Sequence, residues 1–75
     1  MDKQIAANII ALAASLAHLG AMASSAALCL SDAQTCMAAG DYVSAARRGT
    51  DSLEYSVGIF HPACHAARKA VRRAV

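Results

Sequence analysis

No formal charge interrupts this chain between Lys3 and Asp32 when His18 is neutral. Through that run and just past it, Ile5, Ile9, Leu12, Leu16, Leu19, Ala23, Ala26, Leu30, Ala33 and Met37 follow at alternating spacings of four and three. This is a heptad a/d stripe, and it predicts helix with one apolar side. The opposite side carries Asn8, Ser15, His18 and Ser25. A lipid-facing helix is usually apolar all round, so the sidedness argues against a membrane span near residues 5–30. A signal peptide is the other reading of the same run. Lys3 gives a basic start, Ile5–Leu19 an apolar stretch and Ala21-Met22-Ala23 a cleavage-like pattern. We expect neither.

The stripe must pack with very little bulk. Alanine fills 20 of 75 positions, with one Phe, two Tyr and no Trp. Each buried alanine gains little at roughly 25 cal/mol per Å², so helices must approach closely to cohere. A chain this short forms one domain, 1–75, and small domains often recruit a metal, disulfides or a partner subunit. A homodimer is accordingly among the expected partners. Three cysteines, Cys29, Cys36 and Cys64, fit a reducing compartment better than a disulfide framework, and we expect a cytoplasmic protein.

Helix signals divide the chain into an all-α bundle of three to four short antiparallel helices, about 2–19, 24–39, 41–60 and 62–74. Asp2 is placed to cap the first, and Gly20 to end it before Ser24 or Ser25 caps the second. The heptad phase passes through Gly20 unbroken, so a continuous bent helix from 3 to 39 is the alternative; it would be about 54 Å long. Gly40 suits the end of the second helix and Asp41 the cap of the third. The third has its own stripe of Val43, Ala46, Thr50, Leu53, Val57 and Phe60. Pro62 forces His61 out of the helical region and suits the first position of the fourth, where Cys64, Ala67, Val71 and Ala74 share a side.

Residues 28–57 resemble one tetratricopeptide-type helical hairpin. Gly40-Asp41-Tyr42 followed by Ala45 matches that family's turn and second helix, Ser52-Leu53 falls where Ala-Leu is usual, and Ala33 matches the small residue of the first helix. Cys36 and Gly49 stand where aromatic residues are usual, and no proline follows Leu53 at the usual distance. The resemblance implies an antiparallel hairpin with a small-residue contact and a habit of binding proteins. It carries over no binding residue, and such repeats generally need neighbours for stability.

Charge is uneven. Residues 1–40 carry Lys3 against Asp2 and Asp32, a net of −1; residues 41–75 carry Arg47, Arg48, Arg68, Lys69, Arg72 and Arg73 against Asp41, Asp51 and Glu54, a net of +3. These six basic residues are the candidates for contact with an acidic partner or phosphate. No aromatic is interleaved for base stacking and no recognition-helix motif is visible, so nucleic acid is the second choice of partner.

The first helix suggests the first choice. Ile10, Ala14, Ala17 and Ala21 run along a side away from the a/d seam and form a smooth surface for another helix. A third helix of the same chain could cover them instead.

His61-Pro62-Ala63-Cys64-His65 concentrates three candidate ligands. A zinc site needs about four, and only His18, Cys29 and Cys36 remain to complete it. The stretch differs from the haem-attachment motif by having His61 in place of the first cysteine. We expect the start of a helix, with no cofactor. With no Gly-rich loop, no nucleophile–base set and few carboxylates, the expectation is a non-catalytic protein: an adaptor or inhibitor that binds another protein or complex stoichiometrically, including one that handles nucleic acid.

Overall fold

The computed structural model describes residues 3–19, 24–57 and 62–74. Four helices occupy them: α1 (Lys3–Leu19), α2 (Ser24–Ala38), α3 (Tyr42–Val57) and α4 (Pro62–Ala74), with no strand among the described residues. The longest dimension is 29 Å, which excludes the continuous helix of about 54 Å. Ala7 and Ala14 of α1 instead line one groove with Gln34 and Met37 of α2, so the chain doubles back between the two helices. Among the described residues no helix is long and apolar enough to cross a membrane. The expected Asp2 cap, the break around Gly20 and the last turn of the third helix at Phe60 lie outside the described residues.

The turn between α2 and α3 is built from its sequence. Gly40 adopts φ +80°, a left-handed conformation that costs an L-residue about 1–2 kcal/mol and glycine almost nothing. Its N–H donates to the Met37 carbonyl at 3.1 Å and that of Asp41 to the Cys36 carbonyl at 2.9 Å, closing the last turn of α2 in a Schellman motif. Asp41 then caps α3, its Oδ1 accepting from the Ser44 N–H at 3.2 Å.

The helix α3 is the centre of the bundle, packing against α1, α2 and α4. It therefore buries a broad face, Ala45, Ala46, Gly49, Thr50, Ser52 and Leu53, wider than its expected stripe. Two contacts show how closely its neighbours come. A Cβ on Gly49 would lie 2.9 Å from Ile9 Cγ2, so α1 crosses α3 at that glycine. The fully buried Ser52 hydroxyl donates to the Ala26 carbonyl of α2 at 3.0 Å, which satisfies a group whose burial would otherwise be costly. Ser52 lies late in α3 and Ala26 early in α2, so this hairpin is antiparallel.

The core joins Ala6, Ile9, Ala13, Ala46, Leu53 and Val71, with Leu16, Leu30, Met37, Tyr42 and Val57 packed around it. One expectation is corrected here. On α1 the buried residues are Ala6, Ile9, Ala13 and Ala17, not the whole heptad stripe; Ile5 is 43%, Leu12 40% and Leu19 82% exposed. The helix is turned by about a quarter of a revolution from the expected seam. The close crossing at Gly49 accounts for this, because an alanine face lets the backbones meet where a leucine face would hold them apart.

Candidate functional site

Two surfaces gather the residues singled out by sequence. The first is an apolar groove between α1 and α2, lined by Ala7, Ile10, Ala11, Ala14, Gln34 and Met37. Rotation of α1 toward its alanine side creates it: with Ala6, Ala13 and Ala17 turned inward, Ile10 and Ala14 come to the edge facing α2. Both are half-buried. Ala17, expected on the same surface, is only 2% exposed and belongs to the bundle interior; Ala21 lies outside the described residues. The spacing of α1 pointed to Ile10 and Ala14. Met37 was legible only as a stripe residue, and Gln34 gave no signal, because a groove wall depends on how two helices face each other.

The second surface lies along the outer side of α3. Arg47 and Asp51 line two neighbouring grooves at once. Toward α2 they are joined by Cys36, Asp41, Ser44 and Arg48. Toward α4 they are joined by Thr50, Arg68, Val71 and Arg72. Four of the six basic candidates therefore come together around one ridge. Lys69 and Arg73 are exposed on α4 and line neither groove. The Thr50 hydroxyl donates to the Arg47 carbonyl at 2.8 Å. Arg68 pairs with Glu54, which ties α4 to α3; Arg68 stays 46% exposed while Glu54 is 15% exposed, so the arginine keeps donors free for solvent or a ligand.

Local electrostatics follow from these neighbours. Hydrogen bonds from Ser44, first its hydroxyl and then its backbone N–H, hold the Asp41 carboxyl below its ordinary value against the opposing effect of burial, and Arg47 adds to the lowering. Burial pushes the Cys29 thiol up; Asp51 adds to the rise, Arg48 opposes it and Asp32 contributes a smaller increase. Cys29 is thereby kept as a neutral thiol, suited to packing rather than to nucleophilic chemistry. Cys29 and Cys36 are both free and partly buried.

The His61–His65 stretch contributes less. Pro62 is the first residue of α4 and exposed, and His65 is exposed; His61 and the Cys64 side chain lie outside the described residues. Among the described residues no group of three or more His, Cys, Asp and Glu could hold a metal ion.

Compared with known protein families, curated proteins and solved structures, the chain has no match.

Proposed function

We propose that this chain is a non-catalytic protein-binding module that acts by stoichiometric association, as an adaptor or an inhibitor of a larger complex. The apolar groove between α1 and α2 carries the reading. It is a concave strip of small side chains flanked by Ile10 and Met37, a shape that a helix or extended segment of another protein can enter with little reorganisation. The exposed Ile5, Leu12 and Leu19 add a second apolar strip along the same helix. The α2–α3 hairpin, with Ala33 and Ala45 both fully buried, supports reading it as tetratricopeptide-like.

A charge placed in the groove tests this. Ala14→Asp is expected to leave the helical circular dichroism unchanged, since Ala14 is only half-buried. It should abolish recovery of the partner from the native host by immobilised full-length chain. Light scattering of the recovered complex should give an integral ratio of subunits. Equal recovery by both forms would remove the groove from the function. A second reading, direct nucleic-acid binding, is favoured by Arg68 and Arg72 sharing the groove beside α3; the acidic residues within that surface bear on it below.

A further inference from the structure

We propose that the arginine ridge on α3 is a carboxylate-reading surface that takes an acidic segment of a polypeptide. The inference rests on the protein-binding reading and specifies the chemistry of the partner. Three observations carry it.

All four cations around the ridge are arginine: Arg47 and Arg48 from α3, Arg68 and Arg72 from α4. A guanidinium presents a planar fork of donors that matches a carboxylate or phosphate, which an ammonium does not. Lys69, the lysine of this end of the chain, stands outside both grooves.

Carboxylates share these grooves with the cations: Asp51 lines both, and Asp41 lines the one toward α2. A nucleic-acid backbone carries a regular row of negative charges, so phosphates that reach the arginines also bring neighbouring phosphates against these carboxylates. A polypeptide varies its side chains every residue. It can place carboxylates over the arginines and a donor, such as Asn or Lys, over Asp51. The presence of both arginines and carboxylates around the ridge therefore favours an acidic protein segment that also carries donors.

The pair Arg68–Glu54 already shows the chemistry the ridge performs, a carboxylate held by an arginine across the α3–α4 groove. Because Arg68 remains half-exposed, an incoming carboxylate can share it without breaking the tie between the helices.

Fluorescence anisotropy with the full chain tests the proposal. The probes are a labelled peptide of Glu alternating with Asn and, separately, a labelled oligothymidylate of equal charge. The peptide should bind at low salt and bind the more tightly of the two. The double substitution Arg47→Ala/Arg72→Ala should weaken the peptide about fivefold or more, while Lys69→Ala/Arg73→Ala, which removes the same charge elsewhere, should weaken it by less than about twofold. Asp51→Asn should strengthen oligothymidylate more than the peptide; this variant keeps every arginine and guards against a folding defect in the double substitution. Ala14→Asp should leave peptide binding unchanged, so failure of the apolar groove and failure of the ridge are read separately. Absence of peptide binding, equal losses from the two double substitutions, or tighter binding of oligothymidylate to the natural chain would each overturn the proposal, the last in favour of a nucleic-acid grip.

Discussion

The helices α1 and α2 share one uninterrupted heptad stripe, yet only α2 buries its part of it. On α2, Ala26 and Ala33 are buried and Leu30 and Met37 pack against the core. On α1, Ile9 is buried and Leu16 packs around the core, while Ile5, Leu12 and Leu19 face outward and the alanines beside them go in. Both helices meet the same neighbour, α3, whose inner face is Ala45, Ala46, Gly49 and Ser52 along with Leu53. The stripe of α2 already has small residues at half its positions and fits that face as it stands. The stripe of α1 is Ile and Leu throughout. Hydrophobicity alone would choose it, but close packing chooses the alanines. Side-chain size, more than apolarity, decides orientation in this bundle.

The largest effect should come from reversing that choice. Ala13 is fully buried on α1 and Leu12 beside it is 40% exposed. Ala13→Leu adds bulk where two backbones approach, and should cost about 3 kcal/mol, at the upper end for overpacking, or prevent folding. Leu12→Ala removes more apolar surface than most substitutions, yet should change stability by no more than about 0.5 kcal/mol, as an exposed site does. Urea denaturation of both variants measures the contrast. A larger loss for Leu12→Ala would mean that the heptad stripe is the true seam.

Gly49→Ala sharpens the same point with a smaller step. Alanine is the better helix former by up to about 1 kcal/mol. The new Cβ would nevertheless lie 2.9 Å from Ile9 Cγ2, a methyl fixed on a β-branched side chain that cannot swing aside as a chain end could. We expect a net loss of about 1–2 kcal/mol. Combined with Ile9→Ala, the cost should be less than the sum of the two single substitutions, since the second removes the atom the first collides with. Thermal unfolding of the four forms closes the cycle, and strict additivity would place the close crossing elsewhere.

These contrasts mark what the sequence made legible. The boundary between α2 and α3 and the start of α4 were readable because Gly40, Asp41 and Pro62 act through local backbone chemistry, and the buried side of α2 was readable because its pattern and its packing agree. The buried side of α1 was not, because it is set by Gly49, distant in sequence and seen there only as a departure from a repeat pattern. The same limit applied to the surfaces. Spacing along α1 pointed to Ile10 and Ala14 but could not tell that Ala17 turns inward. The basic residues were evident as a cluster in sequence, whereas the separation of Arg47, Arg48, Arg68 and Arg72 from Lys69 and Arg73 depends on how α4 lies against α3.

The smallest effect concerns the turn that lets α2 and α3 meet in register. Asp41 caps α3 as a carboxylate, and its hydrogen bonds from Ser44 hold its folded pKa below the ordinary 3.8. A depressed carboxylate pKa means that the unfolded chain binds the proton more readily than the folded one. The cap's contribution is therefore fully present above the ordinary carboxylate range and is lost as pH falls through the lower, folded value. Asp41→Asn keeps a capping oxygen that does not titrate in this range. Its stability relative to the natural chain should be constant from neutral pH down to the ordinary carboxylate range and should improve below it, as the aspartate loses its charge. Because the other carboxylates are common to both forms, the difference between their urea midpoints isolates Asp41. A difference that stays flat through the acid range would show that the charge of Asp41, as opposed to its oxygen, contributes nothing to the hairpin. A difference that widened in the natural chain's favour would reverse the sign of the shift itself.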